Sequence, residues 1–360
     1  MKQFSFILIL LFVITLSCTT TSKDPKVAEA EKFIEQLKEE SESVGWTATV
    51  SVDNEIVFSR GFGLGNYEQQ VPVYPDKTKF RIGSISKALT AAALGILIEE
   101  GKIDLDAPVQ KYAPYFPQKE FEITTRQVAG HIAGIRHYRG EEFLSSKFFP
   151  TVNEGLDIFM NDSLLFEPGT NYSYSSYGFN LLSAAIEGAS GEEFLKFIEK
   201  KVFDPLGMNE TTAEFMDSLI VYRAGYYSSV EGKIINVPYV DNSYKWAGGG
   251  FISISEDLVK FGNAMLENKL FSEKTKIELV TPQILKNGKA TEYGMGFFSG
   301  TDEFGRFYYG HGGGSVGGCG NLIIYPEDKV VVAVITNDTR AKVGDDLHKL
   351  AEIFYTEAKE

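Results

Sequence analysis

The sequence predicts a mixed α and β fold in which one sheet is assembled from both ends of the chain, with a mostly helical region inserted between. Three observations carry this. Strand-like runs cluster before residue 82 and after residue 216. Helical segments and loops fill the interval between them. An alanine-rich apolar run, Ala88 to Ile98, begins at the junction of the two regions, where clefts tend to form. With 360 residues, 43% of them hydrophobic and 23% charged, the chain can bury a large core.

In chain order, residues 1–18 read as a targeting segment. Lys2 precedes an apolar stretch from Phe4 to Leu16 that is short for a membrane span and suits a secretory signal. Ser17-Cys18 resembles a bacterial lipoprotein cleavage site, with Thr15 where that motif usually has leucine, so Cys18 is the expected lipidation site and residues 19–24 a polar tether. Residues 25–43 predict an amphipathic helix with Val27, Ala30, Phe33, Ile34 and Leu37 on one face. Strands are expected at 46–52 and 56–63 around an Asp53-Asn54 turn. Helices follow at 84–101, 125–132, 152–160, 179–187 and 192–202. Strands return at 221–228 and 233–237, a helix spans 256–266, and strands at 293–300, 307–310, 321–325 and 330–336 precede a helix from about 345 to the end. The expected division is one catalytic body over 25–360, with an α/β part at about 25–82 and 216–360 and a helical part at about 83–215.

The formal net charge of -14 argues for solubility. No basic run, zinc-ligand spacing or glycine-rich phosphate loop suggests a nucleic acid, metal or cofactor. Of two cysteines, only Cys319 lies in the body, so no internal disulfide is expected there. Its place between glycines reads as packing.

Ser84-Ile85-Ser86-Lys87 opens the alanine-rich helix. Residues three apart share a helical face, so the Lys87 amine can reach the Ser84 hydroxyl. A weak hydroxyl nucleophile needs such a base, and the helix N-terminus favours an anion developing beside it. Tyr174-Ser175-Ser176 lies in a loop entering a helix, where a phenol near an ammonium can be drawn toward phenolate and shuttle protons. Tyr172-Ser173-Tyr174 overlaps the same pattern, so the register stays open. His311-Gly312-Gly313-Gly314 follows the expected strand 307–310; glycines there allow close approach, and an N–H could pair with that of Ser84 at an oxyanion. His131 reads as structural. A Ser84–His311 pairing is the rival chemistry, but the chain lacks a Gly-x-Ser-x-Gly elbow, and Lys87 is set by helix geometry.

These elements, in this order at 84, 174 and 311, resemble the three active-site motifs of the serine β-lactamase and penicillin-binding protein superfamily, in its class C-like branch. Further likeness lies in Leu105-Asp106-Ala107-Pro108-Val109, His131-Ile132-Ala133-Gly134-Ile135, Asp204-Pro205-Leu206-Gly207-Met208 and Trp246-Ala247-Gly248-Gly249-Gly250-Phe251. Gly134-Ile135-Arg136-His137-Tyr138 and the stretch from Val237 to Trp246 are most similar to the mitochondrial serine β-lactamase-like proteins and their bacterial relatives. The resemblance implies an antiparallel sheet flanked by helices with an inserted helical subdomain. It implies Ser84 as acylated nucleophile, Lys87 as base partner, Tyr174 as proton shuttle and His311 in the third motif. The N–H groups of Ser84 and Gly314 would form the oxyanion hole, with Ser176, Gly312 and Gly313 along the substrate. Two departures stand out: Ser176 occupies the place of a class C asparagine, and His311 that of a lysine whose charge pairs with the β-lactam carboxylate.

The expected activity is therefore a serine hydrolase acting through an acyl-enzyme on a peptide, amide or ester. A peptidase comes first, an esterase or D-peptidase next and a β-lactamase last. The rival from another class is a non-catalytic module for binding cell-wall peptides or for assembly. The expected location is the bacterial envelope, with membrane contact through the lipid anchor alone. The sequence carries no reading of oligomeric state.

Overall fold

The computed structural model describes residues 24–344 and 346–355. The expected leader, Cys18 and the tether to residue 23 lie outside the described residues. Asp24 caps the first helix, α1 (Pro25–Glu40), its carboxylate accepting from the Lys26 N–H at 3.0 Å.

Seven antiparallel strands form the main sheet: β1 (Gly45–Val52), β2 (Glu55–Asn66), β3 (Val71–Pro72), β4 (Phe298–Thr301), β5 (Phe307–Ser315), β6 (Gly318–Tyr325) and β7 (Val330–Thr336). Their order is β3-β2-β1-β7-β6-β5-β4, so the two chain ends meet at β1–β7, with Trp46 opposite Thr336 and Val52 opposite Val330. The β1–β2 turn is built by Asp53 and Asn54, at φ 48° and 67°, residue types that tolerate the left-handed region.

Alternation along each strand divides two cores. Val330, Val332 and Val334 face one side with Trp46, Ala48 and Val50, where α1 and α5 (Leu347–Phe354) cover them. Val331, Ala333 and Ile335 face the other side with the helical region. There α2 (Ser86–Glu99) is buried from Ser86 to Leu97, as an all-round apolar helix must be. The polar face of β1 is satisfied by α4 (Ser255–Leu266): Thr47 and Thr49 Oγ1 lie 2.8 and 2.7 Å from Ser255 Oγ, and Ser51 Oγ donates to Asn263 at 2.7 Å.

Several expectations need correction. The 221–228 run is a strand only from Tyr227, which pairs with Lys233–Asn236 in a separate ribbon, while Tyr222 is left-handed at φ 57°. The 293–300 run pairs only from Phe298, because a turn closed by Gly294 N–H on the Phe297 carbonyl at 2.8 Å bends the residues before it. Helix Glu273–Val280, capped by Ser272, is an addition to the expected elements, since charged residues interrupt its apolar face. Strand Phe80–Arg81 pairs with Phe251–Ser253, and this small sheet delivers the chain to Ser84.

Candidate active site

Ser84 sits in a 3-10 turn, Gly83–Ile85, that runs directly into α2. Two glycines let β5 lie against this turn. Gly83 adopts φ +50°, and a Cβ there would stand 2.6 Å from the Gly314 carbonyl oxygen. A Cβ on Gly313 would stand 2.0 Å from the Ile82 carbonyl oxygen, so Gly313 is walled by the turn, whereas one on Gly312 would make only van der Waals contact at 3.9 Å and one on Gly314 would meet nothing within 4 Å. The close approach brings the backbone amides of residues 84 and 314 to one wall.

The Lys87 Nζ stands 3.0 Å from Ser84 Oγ, 3.1 Å from Ser176 Oγ and 2.5 Å from the Gly248 carbonyl oxygen. Ser84 is partly exposed, while Lys87 is fully buried. Burial, and then the nearby Lys245 cation, hold the Lys87 pKa well below the usual lysine value. A neutral amine has two N–H groups and one lone pair. Gly248 O and Ser176 Oγ take the donors, which leaves the lone pair for the Ser84 hydroxyl.

Ser176 opens α3 (Ser176–Ser190), and Ser175 caps that helix. Ser176 therefore engages the lysine, and it also faces the Tyr138 phenol. Tyr174 resolves the register: its ring centroid lies 4.9 Å from Lys87 Nζ, while Tyr172 lies over His131 and Tyr293. Burial raises the Tyr174 pKa, against a smaller lowering by a hydrogen bond to Ser84. The phenol thus rests protonated, opposite to the direction expected beside an ammonium, because burial outweighs the Ser84 hydrogen bond.

Two histidines hold the tyrosine loop. The Nδ1 atoms of His131 and His137 accept from the backbone N–H groups of Ser175 and Ser176, at 3.2 and 3.1 Å. Burial holds both rings neutral; His137 falls to about 4. His131 is thus structural in its bonding, and His137 joins it.

His311 is turned away from Ser84. Its Nε2 lies 3.0 Å from Tyr293 Oη and its Nδ1 2.5 Å from the Gly312 carbonyl oxygen. Among the described residues it makes no hydrogen bond to Ser84. Burial lowers its pKa to about 3, so it carries no charge near neutral pH. Cys319, opposite Gly314 in the sheet, donates to the Thr339 carbonyl, and burial pushes its thiol up to about 12. Among the described residues no group of three or more His, Cys, Asp or Glu is placed to hold a metal ion.

The sequence reading missed Gly248, Tyr138, Tyr293 and Lys245. Each is distant in sequence from the three motifs; the likeness of 134–138, 237–246 and 246–251 to known stretches touched Tyr138, Lys245 and Gly248, and none touched Tyr293.

A family model described as Beta-lactamase matches residues 30–354. The human serine beta-lactamase-like protein LACTB, mitochondrial, is 33% identical, over 84% of this chain and 72% of its own length. The D-aminopeptidase of Gluconobacter oxydans is 26% identical, over 87% of this chain and 59% of its own length. Among solved structures, the octameric penicillin-binding protein homologue from Pyrococcus abyssi superposes with a TM-score of 0.77 at 27% identity, covering 91% of this chain and 76% of that one.

Proposed function

This chain belongs to the beta-lactamase family and is a serine hydrolase of the kind that cleaves amide and peptide bonds, and we propose that it is a peptidase working through an acyl-enzyme on Ser84. The observation that carries this reading is the Lys87 amine, buried and with its pKa held well below the usual lysine value, 3.0 Å from a partly exposed hydroxyl.

In this mechanism Ser84 Oγ attacks the substrate carbonyl carbon as its proton passes to Lys87 Nζ. The oxyanion that forms is received by the N–H groups of Ser84 and Gly314, a pairing supported by the Gly83–Gly314 approach. The C–N bond breaks as the leaving amine takes a proton through the Tyr174 phenol, which is refilled from Lys87. Water then attacks the acyl-enzyme with the same groups in reverse. Gly312 and Ser176 border the substrate.

The neutral His311 favours peptide over β-lactam substrates, since the third motif then lacks a fixed cation for the β-lactam carboxylate. The apolar run at 4–16 and Ser17-Cys18 support export and a lipid anchor at Cys18. Incorporation of labelled palmitate into the wild type and not into Cys18→Ser would test the anchor.

The main test is intact mass after incubation with a fluorophosphonate probe. Wild type is expected to gain one adduct and Ser84→Ala none; no adduct on wild type would overturn the reading. A panel of L-peptide, D-peptide and ester substrates then ranks the substrate classes, with L- or D-peptides expected to exceed β-lactams.

A further inference from the structure

Lys245 has no part in the reaction described above, yet its surroundings are unusual for a lysine. It caps the short helix Trp246–Gly249, whose Gly248 carbonyl receives Lys87 Nζ at 2.5 Å. The residue is only 2% exposed, and its Nζ makes no hydrogen bond or ion pair among the described residues. Instead the Nζ lies 4.1 Å from the Phe143 ring centroid, 5.1 Å from that of Tyr244 and 5.4 Å from that of Tyr138. Ring faces attract a desolvated cation through the ring quadrupole, and a neutral amine gains little from them.

The charged and titratable neighbours narrow what this amine can do. Arg81 and Glu214 act on Lys245 with opposite sign, and they are already joined at 2.7 Å. Glu142, near the Tyr138 and Tyr244 rings, is taken by Arg136. Around Lys87 stand His131, His137 and His311, all neutral, and the protonated Tyr174. No free carboxylate therefore serves either lysine. Two buried amines that repel each other share protons as a pair, and the first proton goes to the amine with the better cation site. Both amines lie over rings, Lys87 at 4.9 Å from Tyr174 and 5.5 Å from Phe179, but Lys245 has three faces, one as near as 4.1 Å. Only Lys87 has a hydroxyl donor that needs its lone pair.

We propose that Lys245 is a positioning residue that carries the positive charge of this pair, so that Lys87 keeps its lone pair for Ser84. The inference rests on Lys87 being the base. Burial brings Lys245 to about 7, so it is largely charged in the acidic range where Lys87 would otherwise take up a proton.

The test is the pH profile of Ser84 labelling by a fluorophosphonate in wild type, Lys245→Met, Lys245→Arg and Phe143→Leu, with Ser84→Ala as control. Without the cation, Lys87 protonates more readily, so the acid limb moves up. Lys245→Met should label about tenfold more slowly near pH 6 and within about twofold of wild type near pH 9. Lys245→Arg, which stays charged and stacks on rings, should restore the acidic rate. Phe143→Leu should shift the limb the same way by less, and it carries the test if Lys245→Met fails to fold. Superimposable profiles, or a uniform loss that arginine does not rescue, would overturn the role of Lys245 alone. Unlabelled wild type, or equal labelling of Ser84→Ala, would overturn the Ser84–Lys87 reading and this inference with it.

Discussion

The two walls that meet at Ser84 carry similar groups held in opposite ways. On the α2–α3 wall a lysine is bonded to Ser84, Ser176 and Gly248, and its lone pair is available to the hydroxyl. On the β5 wall an imidazole, chemically the more usual base, is tied to Tyr293 and its own neighbour's carbonyl and does not reach Ser84. Burial neutralises both. The comparison teaches that intrinsic basicity does not assign a role in such a site. What assigns it is which lone pair points at the hydroxyl, and the rigid register of one helical turn sets that more firmly than a strand packed against the turn from a distant part of the chain.

The comparison is broken most directly by removing the base from the first wall. Lys87→Met should slow Ser84 acylation by about 10³-fold, the range expected for a general base. If probe labelling stays within tenfold of wild type, the β5 wall has supplied the base after all.

A second outcome concerns both walls through stability. His131, His137 and His311 are neutral in the fold, below the ordinary histidine value near 6.5. The unfolded chain therefore binds more protons on acidification. Stability from these groups is complete above about pH 6.5 and falls toward about 4 for His137 and about 3 for His311. Thermal melts should show a loss on the order of a few kcal/mol between pH 7 and pH 4.5, and a flat melting temperature would contradict the neutral assignment.

The contact between the walls is sharpened by two neighbouring glycines. Gly313→Ala drives a Cβ into the Ile82 carbonyl and should cost about 1–3 kcal/mol in denaturant unfolding, with slower acylation. Gly314→Ala meets nothing within 4 Å and should melt within about 0.5 kcal/mol of wild type. Equal effects at both positions would show that the strand does not abut the turn as described.

The smallest expected effect is at His311 itself. Since it makes no hydrogen bond to Ser84 among the described residues, His311→Gln should reduce acylation by less than about tenfold, through the lost Tyr293 contact. A loss comparable to that of Lys87→Met would restore the rival Ser84–His311 pairing.

Much of this site was legible in local sequence. Ser84 and Lys87 share a face by helical spacing, and the alanine-rich run after them could only be a buried helix. The alternating valines of β7 and the Asp53-Asn54 turn were readable for the same reason, since period and turn chemistry are local properties. Where Gly294 bends the chain and where Tyr222 turns left-handed, apolar composition alone misled.

Chain-local chemistry thus determined which residues could react: a hydroxyl and an amine one turn apart, a phenol before a helix, glycines ending a strand. Tertiary structure alone decided their charge. The depth at which Lys87 is buried, the Gly248 carbonyl and Ser176 hydroxyl that occupy its donors, and the Tyr293 phenol that holds His311 come from segments far apart in sequence. A proton's preferred seat depends on the dielectric and the partners that folding assembles around it, and neither exists until those segments meet.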